Sequence, residues 1–230
     1  MNEVLDGIVK AFQLIFSGDP TVLDVTARSL FISGTATLLA ILWGVPIAML
    51  LGLRNFRGKF LVRGFFNSLI GIPTVALGLM LFLLFEKESG ILGFLRLLYT
   101  PTAIIIGEAI LVTPIMVSFA TSAIEAVDPQ VTELAQTLGA SDSQASIAVL
   151  KEAANGIFLA GTACFNRAIA ELGVALMVGG NIVGLTDVLT TAISRQTQRD
   201  LSVAIALSII LLILVFALTF VANILRRKKR

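Results

Sequence analysis

Three ionisable side chains stand inside apolar runs. They are Glu108 in "PTAIIIGEAILVTPIMV", and Arg167 and Glu171 in "FNRAIAELGVALMVGG". Arg167 and Glu171 are four residues apart, the spacing that brings a base and an acid together on one helix face. Their chemistry is charge compensation rather than bond making. The chain has no histidine and a single cysteine, Cys164. Imidazole metal sites, Ser–His–Asp triads, Cys clusters and an internal disulfide are therefore excluded. No G-x-x-x-x-G-K-[ST] stretch is present, so no phosphate loop for a nucleotide is expected in this chain. Glu108 has no partner on its own stretch. Thr113, Asn166 and Arg167 are its candidate partners, and protonation is the alternative.

The background to these residues is oil. Apolar side chains make up 57% of the 230 residues and charged ones only 14%, against about a quarter in soluble domains. Mean hydropathy is +0.95. A helix needs about 20 mostly apolar residues to cross the hydrocarbon. Five stretches qualify: 29–53, 65–85, 102–124, 156–178 and 201–225. Lys and Arg set orientation. Arg54, Arg57, Lys59 and Arg63 follow the first stretch, and Arg226 to Arg230 follow the fifth. Five spans with both basic groups in the cytoplasm put the N-terminus outside and the C-terminus inside. The expectation is one all-α transmembrane domain over 1–230, multi-pass in the cell membrane, with lipid as solvent and no nucleic-acid partner.

Two further elements are local. Val4, Leu5, Ile8, Val9, Phe12, Ile15 and Phe16 recur at helical spacing. Residues 1–19 then form an amphipathic helix, lying in the outer interface or packed on the other spans. The opening "MNEVLDGIVK" lacks the basic start and short apolar core of a signal peptide, so no cleaved leader is expected. Asp19 caps the next helix, with Pro20 at its first position. Pro46, Pro73 and Pro114 should bend or unwind their spans.

The other local element is the polar stretch 129–155. Asp128 before Pro129 starts a helix, Gly139 stops it, and Ser141 with Gln144 forms a capping box for a second helix. Val131, Leu134, Ala135 and Leu138 give the short helix a small apolar face. That face either docks in a partner's groove or packs on its own chain.

Glu133-Leu134-Ala135, followed after three residues by Gly139 and Ala140, resembles the EAA loop of ABC-importer permease subunits. The family pattern continues through an apolar position, here Val149, to a Leu-Pro pair, where this chain has Lys151-Glu152. Residues 165–182, with Arg167-Ala168, Glu171, Gly173 and the "MVGGN" ending, resemble the oxyanion group, most of all tungstate permeases. The resemblance implies a type I importer permease fold and a non-catalytic subunit in a bacterial or archaeal cytoplasmic membrane. It implies a homodimer, a dimer of cytosolic ATPase subunits that bind the ATP and Mg, and an extracytoplasmic binding protein that hands over the anion. In that family the helix before the glycine docks in the ATPase, which assigns coupling to Glu133, Leu134, Ala135, Leu138, Gly139 and Ala140. The resemblance implies tungstate as the transported oxyanion, with molybdate or sulfate as the alternative.

Arg167, Glu171, Asn166, Thr113 and Gly173 are the candidates for the path or gate. For the charged pair the alternative is a purely structural role, and for Gly173 it is close helix packing. Ser68, Thr74 and Thr162 add hydroxyls that could line a path. A self-sufficient secondary transporter is the competing class. It should show matched repeats with broken helices, and no internal repeat is evident. An intramembrane enzyme lacks its catalytic constellation here.

Overall fold

The computed structural model describes residues 2–227, and side chains from Leu5 to Ile224. The side chains of Val4 and of the basic tail lie outside the described residues. Ten α-helices follow in order: α1 (Asn2–Ser17), α2 (Pro20–Leu53), α3 (Lys59–Leu69), α4 (Thr74–Phe85), α5 (Pro101–Glu125), α6 (Gln130–Thr137), α7 (Asp142–Ile169), α8 (Gly173–Gly179), α9 (Leu189–Thr197) and α10 (Leu201–Arg227). A 3-10 turn, Gly93–Leu95, lies between α4 and α5. No strand occurs among the described residues.

α5 is the axis of the bundle. Most of its apolar window is buried, whereas α2, α7 and α10 bury one face each. α2 runs alongside it so closely that a Cβ on Gly52 would meet Ile124 at 2.6 Å. Two apolar cores stack along α5. One joins Ile104 and Ile105 to Leu81, Phe85, Val174 and Val178. The other joins Met116, Ala120 and Ile124 to Ala153, Ala160 and Cys164. A third, smaller core lies between Val25, Leu189 and Leu207.

The spans differ from the expected ones in two places. Four helices are individually long and apolar enough to cross, and a fifth span exists only if α3 and α4 count together across a 99° bend. That bend sits at Ile70–Pro73, so the expected 65–85 helix is two pieces. Pro46 and Pro114, by contrast, stay inside continuous helices. The expected 156–178 helix is also two pieces. α7 enters the bundle directly from Asp142 and ends at Ile169, and α8 begins at Gly173. Elsewhere the ends agree: Asp19 Oδ1 accepts the N–H groups of Thr21 (2.9 Å) and Val22 (3.2 Å).

α1 packs along α10. Gly7 faces Ile205, and Lys10 Nζ meets Asp200 Oδ2 at 3.1 Å. Its opposite face, Leu5, Val9, Phe12 and Phe16, is exposed and apolar. Contact with the other helices is thus part of what α1 does. At one end of the bundle, Lys59 and Arg63 of α3 both pair with Glu125 at the end of α5, at 3.2 and 2.7 Å. This basic end also carries Arg54 and α6.

Candidate functional sites

The hairpin at the basic end is built by its caps. Asp128 Oδ1 accepts the Gln130 N–H at 2.9 Å. After α6, Gly139 takes φ +86°, a left-handed conformation that costs a side-chain-bearing residue strain. That turn lets Ala140 N–H reach Ala135 O at 3.0 Å and satisfies a carbonyl the helix would otherwise strand. Ser141 and Gln144 then exchange backbone bonds, 2.8 Å from the Ser141 N–H to Gln144 Oε1 and 3.4 Å from the Gln144 N–H to Ser141 Oγ. Both expected helix ends are present.

The apolar face of α6 is divided. Val131 packs against the core around Met116 and Ala153 and Ala135 is half-buried. Leu134 and Leu138 are 63% and 79% exposed. They are one turn apart, so they form a short apolar ridge pointing away from the chain. Glu133 beside them is exposed and has no ion pair among the described residues.

The second site is the break between α7 and α8. Arg167 Nη1 meets Glu171 Oε2 at 2.7 Å. The pair is the expected one, but it crosses a helix end instead of riding on one helix. Glu171 Oε1 accepts the Val174 N–H at 3.0 Å, doing for α8 what a capping side chain does. The Glu171 carbonyl accepts Thr190 Oγ1 at 2.7 Å. Glu171 is therefore buried and fully engaged. Glu108 is also buried, and its Oε2 has no hydrogen-bond partner. Ser33, Glu171 and Arg167 are the polar groups around it.

Gly173 completes the break. A Cβ there would lie 2.6 Å from Thr74 Oγ1 and 3.0 Å from the Val75 nitrogen. The start of α8 is thus pressed on the start of α4, and the breaks at 70–73 and 170–172 face each other. Thr113 and Asn166 are not drawn in. Thr113 Oγ1 donates to Ala109 O and accepts Trp43 Nε1, both at 2.6 Å. Asn166 pairs with Thr219 of α10 at 3.0 and 3.2 Å. Each ties neighbouring helices together, because each found a polar partner nearer than the break.

One polar group was not singled out from sequence. Asp187 is 1% exposed. It takes the Arg28 guanidinium on Oδ1, the Gly184 N–H on the same oxygen at 3.1 Å, and Arg195 on Oδ2 at 3.6 Å. Arg28 also pairs with Asp24. Ser29 Oγ accepts the Leu189 N–H at 2.8 Å. This cluster ties α2 to α9 at the end of the bundle opposite α6.

Comparison with known proteins places the geometry. Residues 44–230 match the family described as the binding-protein-dependent transport system inner membrane component. The tungstate uptake system permease protein TupB of Peptoclostridium acidaminophilum is 36% identical over 96% of this chain and 97% of its own. The TupB of Campylobacter jejuni is 31% identical over 99% and 95%. Among solved structures, a bacterial ABC transporter involved in the import of the acidic polysaccharide alginate superposes with a TM-score of 0.69 at 20% identity, covering 97% of this chain and 83% of that one. That likeness shows the type I importer permease fold. The chain therefore belongs to the binding-protein-dependent inner membrane components, as a multi-pass, non-catalytic permease subunit of the ABC-importer kind.

Proposed function

We propose that this permease imports tungstate, received from an extracytoplasmic binding protein, and is driven through α6 by a separate ATPase dimer. The observation that carries the coupling role is the exposed Leu134–Leu138 ridge on a helix fixed at both ends by caps. A rigid apolar ridge is what a groove on a partner can grip and move. Glu133, Ala135, Gly139 and Ala140 shape and seat that ridge. The relatives named for tungstate uptake support the substrate. The Lys/Arg bias supports a cytoplasmic basic end, and α6 at that end would then face an ATPase. Two copies of the chain enclose the path.

Arg167, Glu171 and Gly173 act as a gate element where the two helix breaks meet. With Glu108 beside Glu171 and Arg167, the cluster has two carboxyls and one guanidinium, so it offers a dianion no net positive charge. A permease fed by a binding protein should not hold its cargo tightly, and this cluster suits passage better than storage. Thr113 and Asn166 serve the gate as clamps between its supporting helices.

The test is co-purification. Leu134→Ala with Leu138→Ala should leave the chain folded, because exposed side chains change stability by roughly 0.5 kcal/mol or less. ATPase recovery and tungstate uptake should both collapse. Full ATPase recovery in the double variant would overturn the coupling role. Uptake that survives ATP depletion and collapses with an ionophore would instead identify a secondary transporter. Uptake of molybdate or sulfate in preference to tungstate would overturn the substrate.

A further inference from the structure

A groove runs along the outside of the bundle between α2 and α7, with α10 as its third wall. Its volume is about 880 Å³. Ile41, Val45 and Pro46 line it from α2, and Ala154, Phe158 and Gly161 from α7. The α7 stripe is small where it faces α2: Ala154 brings only a methyl, and Gly161 lets Ile41 come within 3.4 Å of where a Cβ would stand.

The polar atoms in its wall ask for nothing. Thr162 Oγ1 donates to Phe158 O at 3.0 Å, and Asn166 and Thr219 satisfy each other. A groove of this size in a membrane-spanning surface, lined by oil and by paired polar groups, suits hydrocarbon.

The same two helix faces continue toward the basic end and line a second cavity of about 400 Å³. On α2 the stripe passes from Pro46 to Met49, Leu50 and Arg54, and on α7 from Leu150 back to Ile147, Ser146 and Ser143. These are steps of three and four residues, so each helix presents one unbroken face. The character changes along it. The second cavity is lined by Arg54, Ser143 and Ser146, with the Ser146 hydroxyl donating to Asp142 O at 2.8 Å.

Arg54 makes no ion pair among the described residues. The acid nearest this mouth on α7 is Asp142, whose Oδ1 is occupied by Gln136 Nε2 at 3.2 Å. Lys151 stands exposed beside Leu150. From Ile147 to Phe158 the track is about 16 Å long at 1.5 Å per residue, close to half of the roughly 30 Å hydrocarbon thickness.

We propose that this track is a binding site for one anionic phospholipid of the leaflet at the basic end, its phosphate at Arg54 and Ser143 and an acyl chain along the Ala154–Gly161 stretch of α7. An oily trough one leaflet long, ending in an unpaired guanidinium at headgroup depth, matches an amphiphile with a negative head. A second copy of this chain would match the trough but would leave the guanidinium unanswered.

The experiment is native mass spectrometry of the full chain, released from nanodiscs of phosphatidylcholine containing one part in five of phosphatidylglycerol. The chain should retain one phosphatidylglycerol in preference to phosphatidylcholine. Arg54→Gln should retain it about fivefold less, the worth of one basic residue at an anionic surface. Arg54→Lys should restore it, and Arg57→Gln, three residues away, should leave it unchanged. Ala154→Phe should expel the lipid with Arg54 intact, and thermal unfolding should show each variant folded. Equal retention of the two lipids, no loss in Arg54→Gln, or an Ala154→Cys variant that cross-links to a second copy within the bilayer would overturn the proposal.

Discussion

The hairpin from Asp128 to Gln144 and the break from Arg167 to Val174 do the same job with opposite means. Each stops one helix and starts another within a few residues. In the hairpin every bond that does so is local and faces water, from Asp128 to Gln130 and from Ser141 to Gln144. At the break, Glu171 starts α8 while holding Arg167 of α7 and Thr190 of α9, and it is buried. The first is a turn that short-range chemistry dictates. The second is a turn that the surrounding helices impose, with a half-buried ion pair committed to keeping it.

That contrast can be broken by mutation. The largest effect is expected for Glu171→Ala, which removes a cap and leaves the Arg167 guanidinium without its acid. Loss of one partner of a buried pair costs about 3–5 kcal/mol. Arg167 is 36% exposed, which moves the expectation to about 2–3 kcal/mol. Thermal unfolding in detergent reads it, and a loss under 1 kcal/mol would mean the break is held by its other contacts.

Next are the two glycines. Gly173→Ala should cost about 1–3 kcal/mol by overpacking, as Thr74 and Val75 are forced away. Gly139→Ala should cost about 1 kcal/mol through its positive φ. Asparagine separates the causes. It tolerates the left-handed region, so Gly139→Asn should be milder than Gly139→Ala, whereas Gly173→Asn should be worse than Gly173→Ala. The same order at both sites would erase the distinction.

Ser141→Ala follows, at about 1 kcal/mol for a lost N-cap. It should speed amide hydrogen exchange in the first turn of α7 and leave α8 untouched. Faster exchange at α8 would show that the two sites are one cooperative unit.

The smallest effect belongs to the partly exposed ion pair between Lys10 and Asp200. The hydrogen bond from Lys10 holds the Asp200 carboxyl below the usual aspartate range, with the Val203 N–H adding to it. A depressed acid contributes stability that is complete above its unfolded value. The contribution is lost as pH falls through the folded value, so α1 should loosen from α10 only in that acid window. Exchange of α1 amides against pH reads this. Loosening at neutral pH would mean that the contact between Gly7 and Ile205 is weaker than the geometry implies.

The same contrast explains what could be foreseen. Asp128, Gly139, Ser141 and Gln144 act within three residues of themselves, so their pattern is visible in a string of letters. The Arg167–Glu171 pair was visible by spacing, but the helix end between them was not. Nothing local forbids a helix through Ala170 and Leu172; the Val174 bond is within reach of sequence, but the bond from Thr190 and the press of Gly173 on Thr74 come only with the fold. Pro73 breaks its span while Pro46 and Pro114 do not, a choice made by neighbours. The Arg28–Asp187 contact spans 159 residues of sequence, and no periodicity points to it. Thr113 and Asn166 stand in the sequence as path candidates and as partners for Glu108 because nothing there sets Trp43 and Thr219 beside them.

Glu171 answers three helices through three separate atoms: one carboxylate oxygen to α7, the other to α8, and its carbonyl to α9. It works as the pin of a joint with no slack. A tilt of α7 cannot be taken up between residues 170 and 172, because the pin drags α8 along its groove against α4 and pulls on α9 at the far end. α9 is tied in turn, through the 187–189 segment, to the start of α2. A tilt of α7 would therefore be felt at α8 through the Glu171 side chain, at α9 through Thr190, and at the start of α2 through the bond from Leu189 to Ser29.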